Sequence, residues 1–233
     1  TYGIPSFKLE KIVIDAEIQV LRELGVEIRC GVEVGKDVTI PQLRVQGYLA
    51  FYVAIGCQGG RTAGVPGEDA AGIQTAVALL RTVGGDESHK MTGKTVVIGG
   101  GNVAIDAARV ALRCGSSDVT MVCLEPREKM PASAEEIAEA EEEGTAIRCG
   151  YGPKEFLTKD GHVCGVVLKR CTGLYDAEGR FAPTYDESVT ITLPCDNVVL
   201  SIGQCIQWGN LLDGEAVQLG RGQGAVADAM TYQ

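Results

Sequence analysis

Residues 95–112 read TVVIGGGNVAIDAARVAL: an apolar run, three consecutive glycines and a stretch with helical periodicity. The β-branched run Thr95–Ile98 is typical of a strand buried on both faces. The glycines and Ala104 form a G-x-G-x-x-A pattern, in which the first glycine permits a tight turn and the second lets the backbone approach a pyrophosphate. The start of the following helix offers free N–H groups and a positive dipole end. The stretch therefore predicts a strand, turn and helix that bind a dinucleotide.

The residues after the glycines strengthen this interpretation. Four alanines recur at helical spacing and predict a helix face of methyl groups that packs closely on a sheet; they are Ala104, Ala107, Ala108 and Ala111. A second predicted strand, Asp118–Leu124, completes a βαβ unit. A glycine turn with a purely structural role is the alternative, but the βαβ context favours a dinucleotide site. The residues expected around the pyrophosphate are Gly99, Gly100, Gly101, Asn102 and Val103.

Composition excludes several classes of function. The chain has 233 residues, 45% hydrophobic and 22% charged, enough for one large or two modest domains. A net charge of −10 disfavours nucleic acid and anionic membranes as partners. No apolar stretch approaches the ~20 residues needed to span a bilayer, and no signal peptide is evident, so we expect a cytoplasmic protein.

The cysteines and histidines point to no metal or redox motif. Nine cysteines occur without any C-x-x-C spacing, which argues against a dithiol motif or a cysteine-ligated cluster. We expect them to be reduced thiols that pack as small hydrophobes. With only two histidines, His89 and His162, a histidine-based metal site or catalytic triad is not expected.

Two short repeats indicate that one type of unit occurs twice. GVEIRCG at 25–31 matches GTAIRCG at 144–150, and each follows a predicted helix. VAIGCQ at 53–58 matches LSIGQC at 200–205, and each ends a predicted apolar strand, Leu49–Ile55 in the first copy. Two matches in the same order support a repeated unit better than a single match would. The second copy begins with the glycine turn, whereas the first has no such beginning, so we expect a piece that lacks its first nucleotide-binding βαβ.

The domain organisation follows from these repeats. Residues 1–91 are predicted as the rear part of an FAD-type domain, 92–203 as an NAD(P)-binding domain and 204–233 as a truncated return segment. We expect a helix near Thr75–Thr82 and another opened by a capping box of Ser133 with Glu136. The predicted strands of the second unit are Lys94–Ile98, Asp118–Leu124, Thr145–Cys149 and Asn197–Ile202, with a β meander whose turns fall at Lys159–Gly161 and Asp176–Gly179.

Several longer strings resemble one family. They are YGIPSFKLEK at 2–11, VGKDVTI at 34–40, VPGED at 65–69, IGGGNVAIDAAR at 98–109, MPASAEEI at 130–137 and IGQ at 202–204. Together they resemble the small (beta) subunit of glutamate synthase, a group that includes the flavin-binding part of dihydropyrimidine dehydrogenase and subunits of NADH-dependent ferredoxin oxidoreductases. The resemblance implies an α/β fold of the flavoprotein disulfide reductase type, with a Rossmann-like dinucleotide-binding domain inserted in an FAD-type domain that is only partial here.

The same resemblance implies a function and partners. A flavoprotein oxidoreductase subunit of this kind passes hydride from NAD(P)H to FAD, and then electrons to an iron–sulfur or large catalytic subunit. Three family features are absent from the sequence: the cysteine-rich N-terminal segment, the G-x-G-x-x-G that binds the FAD pyrophosphate, and the late glycine–aspartate motif. We therefore expect FAD in the intact protein but not in this piece, and we expect the piece to self-associate through exposed strand faces.

The remaining candidate residues bind cofactors. Hydride transfer is the cofactors' own chemistry, so we predict no acid, base or nucleophile. Ile202 and Gly203 end the last strand, where α/β sheets hold their ligands. By the internal repeat, Ala54, Ile55 and Gly56 would lie near FAD in the intact protein, with plain strand-end packing as the alternative.

Two residues after the second strand bear on the choice of dinucleotide. Glu125 lies 21 residues after Ala104, where an acidic residue hydrogen-bonds the ribose of NAD and repels a 2′-phosphate. An exposed loop carboxylate is the alternative. Arg127 is close enough in sequence to reach a phosphate. We expect NAD(H) to be favoured over NADP(H).

Three functions compete at this point. The leading hypothesis is the NAD(P)H-binding part of a flavoprotein oxidoreductase subunit. A nucleotide-binding or sensing module without catalysis is the alternative. A free-standing dehydrogenase fits poorly, because the chain offers no Ser-Tyr-Lys or histidine-based proton relay in suitable positions.

Overall fold

The structure is a computed structural model and describes residues 3–231. These residues form two compact units: unit 1 contains 3–11 and 60–203, and unit 2 contains 12–59 and 204–231. In chain order the elements are α1 (Lys11–Glu23), α2 (Ile40–Val45), β1 (Gly59–Gly60), β2 (Ile73–Thr75), α3 (Ala76–Gly85), β3 (Lys94–Ile98), α4 (Asn102–Arg113), β4 (Asp118–Cys123), a 3-10 turn (Arg127–Lys129), α5 (Ala134–Glu142), β5 (Ala146–Cys149), β6 (Tyr151–Lys159), β7 (His162–Tyr175), β8 (Phe181–Pro194), β9 (Asn197–Leu200), β10 (Gln204–Cys205) and a 3-10 turn (Arg221–Gln223).

The apolar run before the glycines is the middle strand of the main sheet of unit 1. Five parallel strands lie in the order β2-β9-β3-β4-β5. Strand β3 is paired on both sides, with β4 and with β9, which is why its β-branched residues are buried on both faces.

The two faces of this sheet pack against different layers. Val97, Val119 and Met121 join residues of α3, α4 and α5 in one core. Val96, Ile98 and Val122 join Phe156, Val166 and Leu168 of a second, antiparallel sheet in another core. The alternation of side chains along each strand therefore produces three layers: helices, parallel sheet and antiparallel sheet.

The antiparallel sheet is the predicted meander, with strand order β6-β7-β8. Strands β6 and β7 are joined by Asp160 and Gly161, whose φ angles are 53° and 78°. Two positive φ values in a two-residue connection are typical of the type I′ turn, whose twist matches that of the flanking strands.

Most predicted elements are confirmed. Helix α4 carries its methyl face fully buried, with Ala104, Ala107, Ala108 and Ala111 all at 0% exposure. Ser133 caps α5, because its hydroxyl oxygen accepts a hydrogen bond from the Glu136 N–H, whereas the Glu136 carboxylate bonds to Lys8 and does not complete the predicted capping box. Strand β2 is an addition that the sequence did not indicate, since three residues are too few for a periodic pattern.

Unit 2 differs from its sequence pattern. The predicted strand Leu49–Ile55 is wrong, because residues 49–58 have no regular secondary structure, and neither does the repeat at 26–30. An alternating apolar run forms a strand only where a neighbouring strand pairs its N–H and C=O groups, and the pattern alone does not supply that neighbour. The assignment of 1–91 and 204–233 to an FAD-type domain stays a prediction.

Apart from α1, the ordered elements of unit 2 are short. Helix α2 begins with a full capping box, in which Thr39 and Gln42 satisfy each other's backbone N–H groups. Within residues 3–231 no helix is both long and apolar enough to cross a membrane.

Candidate functional site

The main cleft of unit 1 lies at the carboxyl ends of the parallel strands, which is where open α/β sheets bind ligands. Its volume is about 650 Å³, within the range of small-molecule sites. The ends of β3, β4 and β9 form its floor, and the segment 61–65 and the antiparallel sheet form its walls. Five of the predicted residues line it: Gly99, Gly100, Gly101, Glu125 and Ile202.

The first glycine of the turn is required by the backbone. Gly99 has a φ of 145°, and a Cβ atom there would lie 2.3 Å from the carbonyl oxygen of Ser201. The turn therefore passes directly against the end of β9. The Gly99 N–H donates a hydrogen bond to the Val122 carbonyl oxygen at 2.8 Å, so the turn is also fixed to β4.

The other two glycines differ: Gly100 is closely packed, whereas Gly101 leaves room for a ligand. A Cβ on Gly100 would lie 2.9 Å from the Cys123 Cβ and 3.0 Å from the Glu125 Oε2. A Cβ on Gly101 would have no atom within 4 Å. Gly101 therefore presents bare backbone to open space, which is the role predicted for the glycine beside a pyrophosphate.

Helix α4 starts at this open space without a side-chain cap. Its first N–H groups are thus available to an anion, together with the positive end of the helix dipole. Asn102 faces elsewhere, since its Oδ1 accepts the Ser133 N–H at 2.9 Å. Val103 is 37% exposed, and neither residue lines the cleft itself.

Glu125 is half-buried at the end of β4, on the same floor as the glycine turn. Its backbone carbonyl accepts the Gly150 N–H at 3.2 Å, which holds this strand end against the start of β6. The carboxylate can therefore meet a ribose bound over the turn, as predicted, although this contact stays a prediction.

Arg127 lies in the 3-10 turn beyond Glu125 and does not line the cleft. Its Nη2 is 2.5 Å from Glu141 Oε2 on α5. The hydrogen bond to Glu141 raises the pKa of Arg127, so the guanidinium is charged. Both partners are nearly half exposed, and such a pair is weak enough for a phosphate to compete with Glu141.

Several residues that line the cleft were not predicted. Lys169 of β7 lies 4.4 Å from the ring centroid of Tyr185 and donates to Glu187 at 2.7 Å. The Arg170 guanidinium lies over the ring of Tyr151 on β6, 5.4 Å from the ring centroid. Burial raises the pKa of Tyr185, with further contributions from Cys171 and Glu187, so its hydroxyl is neutral. These residues lie on the meander, whose alternating pattern contains no ligand-binding signal.

The opposite wall is held by a carboxylate from the VPGED string. Glu68 accepts the N–H groups of Ala63 and Gly64 at 2.6 and 2.7 Å, which fixes the segment that lines the cleft. Gly203, predicted at the end of the last strand, also fixes this segment. Its carbonyl oxygen accepts a hydrogen bond from the Arg61 N–H at 3.1 Å.

A charged network supports α4 from the side away from the cleft. Lys8 Nζ lies 2.5 Å from Asp106 Oδ1 on α4 and 2.5 Å from Glu136 Oε2 at the start of α5. Burial raises the pKa of Asp106, while the ammonium of Lys8 acts in the opposite direction. The guanidinium of Arg109 is only 8% exposed and bonds to Glu139 and Glu143.

The predicted flavin residues belong to unit 2. Ala54 and Ile55 line a groove of that unit, about 870 Å³ in volume, and the next residue, Gly56, has a φ of 63°. Among the residues that the structure describes, unit 2 has no strand followed by a glycine turn and a helix. The described residues of this groove therefore do not form a phosphate cradle for FAD.

The cleft of unit 1 does fit a pyridine dinucleotide. It offers an uncapped helix N-terminus, a bare glycine facing open space and an acidic residue at the next strand end. It contains no nucleophile–base pair, so its chemistry must come from the ligand it holds.

Comparisons with known proteins agree with this fold. The sequence profile of the pyridine nucleotide-disulphide oxidoreductase family matches residues 46–231. The chain therefore belongs to that family, and the resemblance inferred from its motifs is confirmed. The α/β fold class is likewise confirmed.

Two curated relatives and one solved structure illustrate the match. The chain is 37% identical to the beta subunit of the NADP(+)-dependent formate dehydrogenase of Moorella thermoacetica, covering 94% of this chain and 31% of the relative. It is 36% identical to the small chain of glutamate synthase [NADPH] from Azospirillum brasilense, covering 87% and 44%. The structure of Mycobacterium tuberculosis FprA in complex with NADPH matches with a TM-score of 0.70 at 21% identity, covering 88% and 61%, which shows a shared fold.

The expected preference for NAD(H) over NADP(H) is wrong. The formate dehydrogenase subunit is named for NADP(+) and the glutamate synthase chain for NADPH. The prediction weighed one carboxylate, Glu125, whereas the structure also places Lys169 on the wall of the same cleft and Arg127 on the turn beyond it. Positive charges on other elements can offset the repulsion between a single carboxylate and a 2′-phosphate.

Proposed function

We propose that this chain is the NADPH-binding part of a flavoprotein oxidoreductase subunit. In the whole protein, reduced nucleotide held in the cleft of unit 1 would supply hydride to FAD, and electrons would continue to a partner subunit. The two curated relatives are named as subunits, and the chain spans 31% and 44% of their lengths. The activity and partner of the whole protein are therefore part of the proposal.

The open backbone at Gly101 carries this proposal. It lies at the uncapped start of α4, in a cleft of ligand size, and no atom of the described residues fills the space beside it. The N–H groups of α4 would bind the pyrophosphate, and Glu125 would bind the adenosine ribose. The half-buried walls, including Tyr151 and Tyr185, would exclude water from the bound dinucleotide.

The first test is a glycine substitution that leaves the fold intact. Gly101→Ala puts a methyl group into the space proposed for the pyrophosphate, without a clash and without a positive φ. We expect NADPH affinity, measured by calorimetric titration, to fall roughly tenfold or more, which is about 1.4 kcal/mol. Gly85→Ala is the control, because a Cβ there also meets no atom within 4 Å but lies at the end of α3. Unchanged NADPH affinity in Gly101→Ala would show that the pyrophosphate does not bind beside Gly101.

The second test concerns the 2′-phosphate. We propose that Arg127 binds it, by exchanging its partner Glu141 for the phosphate. Arg127→Ala should then weaken NADPH more than NADH. Arg113→Ala is a matched control, because Arg113 has similar exposure and pairs with Glu143. Equal losses of affinity for NADPH and NADH would show that Arg127 does not bind the 2′-phosphate.

The third test separates an enzyme from a sensing module. Protein isolated from its natural source, and shown by mass spectrometry to contain this sequence, is mixed anaerobically with NADPH. Bleaching of the flavin absorbance is the expected result. NADPH binding without bleaching would favour the nucleotide-sensing alternative.

A further inference from the structure

Three sulfur atoms lie together beneath the cleft and have no part in the function proposed above. Cys123 and Cys149 are register partners at the ends of the adjacent parallel strands β4 and β5. Their Sγ atoms are 3.7 Å apart, and the Sγ of Cys149 is 3.8 Å from the Sδ of Met130. We refer to Cys123, Cys149 and Met130 as the sulfur cluster.

From this arrangement we infer that the sulfur cluster is a binding site for a soft monovalent cation, with Cu(I) as its representative. Two sulfur ligands of one metal ion, each at about 2.3 Å from it, lie about 3.8–4.0 Å apart in tetrahedral or trigonal geometry. The two measured separations, 3.7 and 3.8 Å, are within 0.3 Å of that range. The inference does not depend on NADPH binding.

The type of ligand selects the type of metal. Within residues 3–231 there is no group of three or more His, Cys, Asp or Glu side chains placed to hold a metal ion. A third ligand at this position must therefore be the thioether of Met130. Thiolate and thioether sulfur together favour Cu(I) over harder cations such as Mg²⁺ or Ca²⁺.

The surroundings allow both entry and charge balance. Cys123 is almost fully buried but lines the cleft, which gives an ion a path from solvent. On binding, both thiols release their protons to the buffer, and two thiolates with one Cu(I) carry a net charge of −1. The guanidinium of Arg127 is near enough to interact electrostatically with both cysteines, and it can offset that charge.

The test uses the whole chain with its exposed thiols removed. Cys30, Cys57 and Cys164 are exposed and are replaced by serine, so that they do not compete for metal. Cu(I) is then titrated anaerobically against the chelator bicinchoninate, and the metal environment is read by X-ray absorption. We expect one Cu(I) per chain with a shell of sulfur atoms only.

Two variants and one control make the result decisive. Met130→Leu conserves volume and should keep the fold, checked by circular dichroism, while Cu(I) affinity falls roughly 10- to 100-fold, a loss that metal sites show even for outer-shell changes. Cys149→Ala should abolish the site. Cys171→Ala, a half-buried cysteine on β7, should leave affinity unchanged. Failure to retain Cu(I), or equal affinity in Met130→Leu and its parent, would overturn the inference.

Discussion

Gly99 is the residue on which the shape of the nucleotide turn depends. Its φ of 145° disfavours any L side chain, and a methyl group would lie 2.3 Å from the Ser201 carbonyl oxygen. We expect Gly99→Ala to lower the free energy of unfolding, measured with denaturant, by about 1–3 kcal/mol or more. Gly101→Ala should leave it unchanged, because that position has open space and a negative φ. A stable Gly99→Ala variant would contradict this account of the turn.

Glu143 is a second residue whose contribution can be isolated, through its dependence on pH. Burial acts to raise its pKa, but hydrogen bonds from Arg113 and Arg109 outweigh burial and lower it below the ordinary value of 4.5. The stability that the carboxylate provides is therefore present above pH 4.5 and is lost as the pH falls through the lowered pKa.

Glu143→Gln should accordingly cost about 1.5–3 kcal/mol near neutral pH, the range for hydrogen bonds to charged groups. The difference between wild type and variant should shrink as the pH falls below 4.5. Urea unfolding at several pH values measures it. Glu142→Gln is the control, since Glu142 is an exposed neighbour on the same helix. A difference that stays constant with pH would mean that the ion pairs with Arg109 and Arg113 contribute little.

At the scale of elements, the methyl face of α4 determines how near the helix lies to the sheet. Ala108 is fully buried in the core that contains Val97 and Val119. Ala108→Leu should therefore overpack this layer and destabilise the protein by about 1–3 kcal/mol in thermal or denaturant unfolding. Val103→Leu, on an exposed position of the same helix, should stay within about 0.5 kcal/mol of wild type. Similar values for the two variants would show that the helix can move outward at little cost.

Elements with strong local signals could be predicted, and those that depend on distant partners could not. The β-branched run of β3, the alanines of α4 and the Asp160–Gly161 turn are local patterns, and each gave the correct element. Strand β2 exists because β9 pairs with it, and the run at 49–55 is irregular because none of residues 3–231 pairs with it as a strand. Pairing over more than a hundred residues leaves no mark on a single sequence.

The same division holds for the candidate site. The glycine turn and Glu125 follow from motif spacing, and the structure brings them together. Lys169 and Tyr185 line the cleft because the antiparallel sheet folds over the parallel one, an arrangement that no spacing within the meander encodes. The prediction of NAD(H) weighed Glu125 alone, because no pattern in the sequence indicated that these residues would line the same cleft.

At the scale of the whole molecule, unit 2 leaves many apolar side chains in solvent. Leu49 and Tyr52 are more than 90% exposed, and Val45 is similar. Exposed apolar patches promote association, so we expect concentration-dependent self-association in light scattering. Leu49→Glu combined with Tyr52→Glu should reduce it.

The control for this prediction adds the same charge to unit 1. Tyr175 and Phe181 are about 60% exposed, and replacing both with Glu should change association much less. A monomer at all concentrations, or equal effects of the two double variants, would show that the apolar residues of unit 2 do not drive association.

The backbone ties between the glycine turn and the start of α5 have a consequence for protease sensitivity. The Ala132 N–H donates to the Gly100 carbonyl, and the Ser133 N–H donates to Asn102. Arg127 and Lys129, both trypsin sites, lie exposed just before this tied segment. NADPH that rigidifies the turn should therefore slow tryptic cutting after these two residues, because cleavage requires local unfolding of the substrate. Cutting after Lys159, at the exposed end of β6, should continue at its original rate.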